Sequence, residues 1–411
     1  MRKAPRVVVI AVAVIFGIVV LAIAPFLLFT PRAPKPAGQP DTVDRLEAYF
    51  RALTLHETPP ALDIVVMKNG AVVYSKAFGV TDSRTKTPAA PDGVYHYWSV
   101  TKLFTATAIM QLVEDGKLGL DDPVSMYLPA FTTVTKSGEA ADITVRQLLA
   151  HTSGMKDLAP TALVGWIHHL DENPVSQTSI VLERMQEYRR LATEPGKIGA
   201  YSNAGYIVLG AIVEAAARMP YEDVVRSRIL RPLGMKSTDF LYRDDLLPHA
   251  VAGTHPLFHF FTPLLLMLHR DWFSKWVGKI SNQRMWLVPI YTDYTAPTGL
   301  LGTAGDLARF GQAFLSAGKL DGNRILKTET VAAMLDTGFG GMTGPDKDRT
   351  GLGWHWWNEA PIPFKGHGGG GPGFGTQLAI FPTQEMVVVV LANDTLIDRI
   401  GLTNLVAAAF Q

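Results

Sequence analysis

The sequence predicts an α/β fold of the α+β type, in which an antiparallel sheet built from both chain ends is flanked by helices and lies beside a mostly helical lobe. The first observation is a strand-turn-strand pattern around Asn69-Gly70, a dipeptide typical of tight hairpins. The second is a similar pattern around Pro382-Thr383, near the other end. The third is a helical pattern outside each hairpin, which favours one sheet with helices against it.

The first element is an apolar segment, 7–29, that contains no charged residue. Its 23 residues are enough to cross a bilayer as one helix. Basic residues lie on its short N-terminal side, which predicts that 1–6 stays in the cytoplasm and that the rest of the chain is extracytoplasmic. A cleaved signal peptide is the alternative, but Pro25 directly follows the small-residue cleavage motif. The sequence therefore predicts an N-terminal transmembrane helix in the cell membrane, followed by a proline-rich linker over 30–41.

The remainder, 42–411, is predicted to form one domain. It begins with an amphipathic helix whose apolar face carries Leu46, Phe50 and Leu53. The middle of the chain, roughly 95–335, has mostly helical and loop patterns, which predicts a covering layer and a helical lobe. The chain closes on another helical pattern, "LIDRIGLTNLVAAAF".

An apolar, tryptophan-rich insert occupies 255–290 and contains the run "PLFHFFTPLLLML". These 13 residues are too few to cross a bilayer. Two interpretations stay open. The insert is either a helical element that packs as a lid or core extension, or a membrane-contacting surface with tryptophans at the headgroup level beside lysines.

Composition and motif content exclude several function classes. The 38 basic and 37 acidic residues leave a formal net charge of +1, so no nucleic-acid partner is expected. The chain contains no cysteine, which rules out thiolate catalysis and disulfides. Its 11 histidines include no His-Glu-x-x-His, and Pro256 interrupts the pair His255 and His259, so no metal or other cofactor is expected.

The first candidate catalytic pair is Ser99 and Lys102, at the start of an apolar helical pattern. Residues three apart on a helix share a face, about 5–6 Å apart between β-carbons. A serine hydroxyl becomes a good nucleophile when a neighbour takes its proton, and a lysine of lowered pKa can do so. The same Ser-x-x-Lys spacing begins at Ser153 and Ser316, but only Ser99 precedes a sustained helical pattern.

The second candidate pair is Tyr201 and Asn203, in a small-residue loop before an apolar helix predicted from Tyr206 to Ala217. A phenol beside a lysine ammonium is expected to have a lowered pKa and to act as a base or proton shuttle. Asn203 is expected to hold the lysine and a substrate amide. The alternative is structural: the tyrosine packs at the helix entrance and the asparagine caps the helix.

The third candidate is the run of four glycines between His367 and Pro372, which we expect just before a strand. So many glycines imply that the backbone closely approaches another group. A backbone N–H of this edge can supply half of an oxyanion hole, and the Ser99 N–H the other half. His367 is expected to be a polar or positive group on the substrate side. A loop without a role is the alternative.

Three short motifs, in this order, resemble those of the serine β-lactamases and penicillin-binding D,D-peptidases. The motifs are Ser99-Val-Thr-Lys102, Tyr201-Ser-Asn203 and His367-Gly-Gly369. The linking stretches "ITVRQLLAHTSGM", "RILRPLGMKSTDF" and "PTGLLGTAGDLARFG" are similar to the class C-like branch, which includes D,D-carboxypeptidases, D-aminopeptidases and family VIII esterases. The resemblance covers roughly 42–411.

This resemblance implies an acyl-enzyme mechanism without a cofactor. It assigns Ser99 as the acylated nucleophile and Lys102 as the acceptor of its proton. Tyr201 becomes the base or shuttle, Asn203 a contact to lysine and substrate, and Gly370 the second oxyanion N–H. The expected partner is a small-molecule, peptide or ester substrate.

The chain departs from the family pattern at His367, where many members carry lysine. A lysine is a permanent cation for a substrate carboxylate, whereas a histidine is only fractionally charged near neutrality. With Gly369 and Gly370, His367 is therefore expected to bind an amide, peptide or ester, and strong β-lactamase activity is not expected. Substrate class stays open between D,D-peptidase-like or amidase-like and esterase-like.

Two other interpretations of the sequence compete with this one. The run from His367 to Gly370 copies the oxyanion motif of some α/β-hydrolases, but that motif must precede a Gly-x-Ser-x-Gly nucleophile, which the chain lacks. The other rival is a non-catalytic binding or sensor module on the same fold. All the residues needed for turnover are present, which favours an enzyme.

Overall fold

The computed structural model describes residues 32–36, 38, 40–158, 166–170, 175–259, 262, 275–336, 338 and 349–411. The predicted anchor lies outside these residues, and so does most of the apolar run of the insert. Within the described part, no helix is both long and apolar enough to cross a membrane.

Secondary structure covers most of the described chain. The strands are β1 (Ala61–Lys68), β2 (Ala71–Asp82), β3 (Thr87–Pro88), β4 (Tyr95–His96), β5 (Ile167–His168), β6 (Thr254–Pro256), β7 (Val277–Ser281), β8 (Arg284–Leu287), β9 (Tyr291–Thr292), β10 (Leu301–Gly302), β11 (Lys319–Leu320), β12 (Asn323–Arg324), β13 (Arg349–Thr350), β14 (His355–Trp357), β15 (Phe364–Gly371), β16 (Phe374–Phe381) and β17 (Met386–Ala392). The α-helices are α1 (Val43–Leu55), α2 (Thr101–Glu114), α3 (Val145–Leu149), α4 (Gln177–Arg184), α5 (Asn203–Ala217), α6 (Tyr221–Val225), α7 (Thr295–Thr298), α8 (Ala304–Leu315), α9 (Thr328–Leu335) and α10 (Arg399–Ala409).

The two predicted hairpins meet in one sheet, as the sequence indicates. In the described residues the sheet has eight strands, in the order β13-β14-β15-β16-β17-β1-β2-β3, and every neighbouring pair is antiparallel. Strands β1 and β17 pair from Leu62 opposite Ala392, which joins the two chain ends. The β1-β2 turn places Asn69 and Gly70 at φ of 52° and 79°, the left-handed conformations that an Asn-Gly hairpin favours.

Both faces of the sheet are covered by helices. Successive side chains of a strand point to opposite faces, so β1 contributes Leu62 and Ile64 to one core and Val65 to the other. The first core also contains the apolar faces of α1 and α10, and the second contains α2, α5 and α8. Because α2 lies inside this second core, its residues from Thr101 to Leu112 are all buried.

Two sequence expectations differ from the structure. In the insert, the described residues include β7 and β8, which pair with β6 as a small antiparallel sheet, while most of the run expected to be helical lies outside the described residues. Helix α5 begins at Asn203 rather than Tyr206, because Ser202 caps it by accepting a hydrogen bond from the Gly205 N–H. The glycine run lies within β15 rather than before a strand.

Candidate active site

Ser99 lies in a 3₁₀ turn, Trp98–Val100, that leads directly into α2. The preceding residue, Trp98, has a φ of 47°, which is rare for a large side chain. Such backbone strain is concentrated at functional sites, where surrounding packing maintains it. The turn leaves Ser99 half-buried while α2 continues into the core.

Lys102 stands one turn further along and is fully buried. Its Nζ lies 3.1 Å from Ser99 Oγ, 2.7 Å from Asn203 Oδ1 and 3.1 Å from the Pro297 carbonyl oxygen. The last two oxygens can only accept hydrogen bonds, so they engage two N–H groups of the amine. A neutral lysine then has its lone pair left for the Ser99 hydroxyl.

Burial also favours the neutral amine. Desolvation lowers the pKa of Lys102 to about 7, and the Asp157 carboxylate opposes this shift. An ordinary lysine has a pKa near 10.4 and is almost fully protonated at neutral pH. Lys102 can therefore accept a proton under conditions in which an exposed lysine cannot.

Asn203 is oriented by Asp157, a residue that the sequence analysis did not single out. The Asp157 carboxylate accepts from the Asn203 backbone N–H at 2.7 Å and from its Nδ2 at 3.2 Å. Because a carboxylate accepts but does not donate, the amide must turn Nδ2 to Asp157 and Oδ1 to Lys102. The available signal was its position, since Asp157 follows the Ser-x-x-Lys match at Ser153 by four residues.

Tyr201 reaches the same point from the loop before α5. Its hydroxyl interacts with the Ser99 side chain, and its ring centroid lies 4.8 Å from Lys102 Nζ. The predicted lowering of its pKa is wrong: desolvation raises the pKa of the phenol, and the Ser99 contact offsets this only in part. Tyr201 is thus a neutral phenol at rest, able to pass a proton but not present as phenolate.

Strand β15 brings its glycines against the Ser99 turn. A β-carbon on Gly369 would lie 2.0 Å from the Tyr97 carbonyl oxygen, and one on Gly371 would lie 2.5 Å from the Trp98 ring. Thr376 on β16 ties the strand to the turn through a hydrogen bond of 2.8 Å to the Tyr97 carbonyl. Only glycine permits this approach.

The edge of β15 is open beside the turn. Its pairing with β14 ends at Gly366, and in the described chain no other strand pairs with the edge beyond that residue. The same strand approaches the Ser99 turn at Gly369 and Gly371, so this unpaired edge is a candidate source of N–H groups for an oxyanion.

His367 enters the site from β15, with its ring centroid 6.1 Å from that of Tyr201. The ring is buried, and the pKa of His367 lies well below its usual value because of desolvation, with His355 and Lys102 adding to the shift. His367 is therefore a polar but uncharged group. His355 and His151, which also contact Tyr201, were not predicted, since an isolated histidine carries no sequence signal.

The Ser-x-x-Lys matches at Ser153 and Ser316 lie outside this arrangement. Ser153 is buried in a turn, where its Oγ accepts from the Met155 N–H. Ser316 follows the C-terminus of α8 and accepts from Gln312. One point of the structure combines a hydroxyl, a neutral amine, a phenol and a glycine-lined strand edge. The predicted residues that lie around it are Ser99, Lys102, Tyr201, Asn203, His367, Gly369 and Gly370.

Comparison with known proteins identifies the family of the chain. Residues 46–409 match the beta-lactamase family. Penicillin-binding protein 4* of Bacillus subtilis (strain 168) is 28% identical over 342 residues, which make up 80% of this chain and 67% of that protein. Other curated relatives match over shorter stretches, and the chain spans 37% to 39% of their length.

Solved structures show the same architecture. The octameric penicillin-binding protein homologue from Pyrococcus abyssi is 26% identical, with a TM-score of 0.69 over 89% of this chain and 76% of that one. EstCE1, described as a hydrolase with promiscuous acyltransferase activity, shares the fold at 22% identity, with a TM-score of 0.69 over 90% and 99% of the two chains. The predicted superfamily is confirmed, and the chain belongs to the beta-lactamase family of serine hydrolases.

Proposed function

We propose that this protein is a membrane-anchored serine hydrolase that acts through an acyl-enzyme on an amide, peptide or ester, with Ser99 as its nucleophile. The observation that carries the proposal is the position of Lys102 Nζ, 3.1 Å from Ser99 Oγ, with its other hydrogen bonds made to oxygens that only accept. A buried amine of lowered pKa beside a serine hydroxyl is the arrangement that activates a serine.

Acylation follows from this geometry. Ser99 Oγ attacks the substrate carbonyl carbon as its proton passes to the Lys102 amine, and the carbonyl π electrons move to oxygen. The N–H groups of Ser99 and Gly370 stabilise the resulting oxyanion. When the oxyanion collapses, the bond to the leaving group breaks and the leaving group takes a proton, so that a Ser99 ester remains. A water molecule then repeats the attack and releases the acid.

Tyr201 has the role of proton shuttle in this scheme. Its phenol interacts with Ser99, and its raised pKa keeps it protonated at rest. It can donate that proton to the leaving group and regain one from Lys102, whose Nζ lies 4.8 Å from the centroid of the Tyr201 ring. A resting phenolate is not required.

Substrate class follows from His367. Because this imidazole is uncharged, the site lacks the permanent cation that would hold a substrate carboxylate at this position. Esters, amides and peptides without a carboxylate there are favoured over β-lactams.

Labelling by a fluorophosphonate tests the nucleophile. We expect the wild-type chain to form one covalent adduct, with loss of fluoride and a new P–O bond at Ser99, and Ser99→Ala to form none. Ser153→Ala and Ser316→Ala are matched controls, because each removes a serine of the same Ser-x-x-Lys spacing and leaves the site intact. An adduct on another residue would contradict the proposal, and no adduct at all would favour the non-catalytic binding module.

The substrate class is tested by parallel turnover assays. Hydrolysis of p-nitrophenyl esters, D-Ala-D-Ala peptides and nitrocefin is compared for the wild-type chain, with Ser99→Ala as the background. We expect ester hydrolysis to exceed nitrocefin hydrolysis. Faster turnover of nitrocefin would instead make the protein a β-lactamase.

The membrane anchor over 7–29 is the remaining part of the proposal, and it rests on the apolar run and its basic flank. We expect the full chain to sediment with membranes and to require detergent for release. Protease added outside intact cells or spheroplasts should digest the domain over 42–411. Its protection there would reverse the proposed orientation.

A further inference from the structure

Three buried imidazoles surround the Tyr201 ring. Ring centroids of His151, His355 and His367 lie 4.6, 6.1 and 6.1 Å from that of Tyr201, and each histidine is at most 5% exposed. The Nε2 atoms of all three are buried and have no hydrogen-bond partner among the described residues. Buried polar atoms are nearly always paired, so three unpaired ones beside Tyr201 mark a place where a polar group from outside the chain can bind.

The backbone fixes which nitrogen of His367 carries its proton. His367 Nδ1 lies 2.7 Å from the Gly368 carbonyl oxygen, which can only accept. Nδ1 therefore donates, and the neutral ring keeps a lone pair on Nε2. Since the Nδ1 edge turns back to its own strand, the opposite Nε2 edge is turned away from the Gly368 carbonyl.

The backbone fixes the opposite tautomer in His151. Its Nδ1 accepts a hydrogen bond of 3.1 Å from the Ser202 N–H. The neutral ring then carries its proton on Nε2, which cannot also bind a metal ion through a lone pair. Three histidines often suggest a metal, but this tautomer argues against one, and the described residues contain no group arranged to hold a metal ion.

The charges around His367 disfavour a second proton on it. The ring centroid of His355 is only 4.4 Å from that of His367. The titratable groups that act on His367 are the rings of His355 from β14 and His151 from the loop after α3, and the Lys102 amine from α2. Tyr201 faces it from the loop before α5, and Arg399 of α10 lies behind the strand at Gly368. No carboxylate is among these groups in the described chain.

We infer that His367 and His355 form a subsite that accepts a hydrogen bond from an uncharged donor on the acyl part of the substrate and rejects a carboxylate at the same position. This inference rests on the proposed acyl-enzyme function. It adds that the acyl group carries an amide N–H or a hydroxyl where it meets His367 Nε2. A donor placed there satisfies a buried acceptor that is otherwise unpaired, whereas a carboxylate adds a second acceptor and loses its hydration.

The tautomer is tested directly on the full-length protein in detergent. Long-range ¹⁵N–¹H NMR distinguishes a neutral imidazole protonated on Nδ1 from one protonated on Nε2 and from an imidazolium, and His367→Gln assigns the signal. We expect the Nδ1–H tautomer from pH 8 to pH 6. An imidazolium at pH 6, or a proton on Nε2, would overturn the inference.

Substrate preference is tested with three matched p-nitrophenyl esters of adipic acid, whose far ends are a primary carboxamide, a dimethylcarboxamide and a free carboxylate. We expect kcat/KM to be about 5-fold to 10-fold higher for the primary amide than for the dimethylamide, which lacks the donor. The carboxylate should be at least about 10-fold poorer than the primary amide. Equal or better turnover of the carboxylate by the wild-type chain would refute the subsite.

Two variants test whether His367 and His355 cause the preference for the primary amide over the carboxylate. His367→Lys supplies an ammonium group and should reverse the order, so that the carboxylate becomes the best of the three. His355→Phe keeps an aromatic ring but removes one imidazole, and it should weaken the rejection of the carboxylate. Fluorophosphonate labelling of Ser99 is measured on the wild-type chain in parallel. Failure of the wild-type chain to label would contradict the proposed function, whereas normal labelling without a substrate preference would contradict only this inference.

Discussion

Lys102 and Asn203 are joined by a hydrogen bond of 2.7 Å between Nζ and Oδ1. Because Asp157 fixes the direction of the amide, this bond always occupies an N–H of the lysine and never its lone pair. The side chains of Asp157, Asn203 and Lys102 together leave the lysine lone pair for the Ser99 proton. The Ser-x-x-Lys spacing alone would not do so.

The first prediction concerns the pH dependence of acylation. Lys102 has a pKa of about 7 and is active as the neutral amine, so the rate should be lost as pH falls through about 7 and should reach a plateau above about 8. The measurement is the second-order rate constant of fluorophosphonate labelling between pH 5.5 and 9. A rate that is constant over this range would exclude Lys102 as the proton acceptor.

The second prediction is that two variants move the midpoint of this pH profile in opposite directions. Asn203→Asp places a carboxylate against the Lys102 amine, which stabilises the ammonium and should move the midpoint up by at least about one pH unit. Asp157→Asn removes the carboxylate that raises the pKa of Lys102, so its midpoint should move down, and by less because the charge is more distant. Shifts of the same sign in both variants would contradict this account.

The third prediction isolates the phenol of Tyr201. Tyr201→Phe keeps the ring packing against His151, at 4.6 Å between centroids, but removes the proton shuttle. We expect acyl transfer to slow by about 10²-fold to 10⁴-fold, with little change in thermal stability. Tyr221→Phe is the matched control, because it deletes a buried hydroxyl that bonds Thr105 at 2.7 Å. That variant should lose stability, by about 1 kcal/mol, but keep its labelling rate.

The fourth prediction tests the close approach of β15. Gly369→Ala introduces a β-carbon 2.0 Å from the Tyr97 carbonyl oxygen, so the strand must move away from the Ser99 turn. A displacement of about 1 Å at a catalytic centre lowers rates by about 10²-fold. Gly305→Ala, in α8, has no atom within 4 Å of the added carbon and should label at the wild-type rate. Normal labelling of the first variant would show that the strand edge is not part of the site.

Local sequence patterns predicted the sheet and its flanking helices because their signals lie within a few residues. Asn69-Gly70 specifies a turn, and the spacing of Leu46, Phe50 and Leu53 specifies the buried face of α1, both as observed. The motifs around Ser99 and Tyr201 were recognisable because each combines rare residue types at fixed spacing. Their convergence depends on how α2, α5 and β15 pack, which the resemblance implied but the local pattern does not contain.

The parts that were missed depend on tertiary surroundings. Asp157 and His355 acquire roles only from the groups that folding places beside them, Asn203 and His367. The pKa of Tyr201 was predicted in the wrong direction because a nearby lysine was assumed to be charged. In the structure burial lowers the pKa of that lysine to about 7, and the desolvation of the phenol is the largest influence on the pKa of Tyr201.

The last prediction concerns a buried acid in the sheet. Asp63, on β1, is fully buried, and neither carboxylate oxygen has a side-chain partner among the described residues. Desolvation raises the pKa of Asp63 well above its usual value, with Asp92 adding to the shift. A folded-state pKa above the unfolded value of about 3.9 means that the folded state binds the proton more tightly. Stability is therefore lost as pH rises above about 4, by up to about 1.4 kcal/mol per pH unit until the folded pKa is reached.

Asp63→Asn removes this titration while it keeps the shape of the side chain. We expect the free energy of unfolding of the variant to exceed that of the wild-type chain by an amount that grows between pH 5 and pH 8, and chemical denaturation at four pH values measures it. Glu329→Gln, which also removes one carboxyl but at an exposed position at the start of α9, is measured as the control. A constant difference between Asp63→Asn and the wild-type chain would mean that the buried carboxyl is ionised in the folded protein and stabilised by its surroundings.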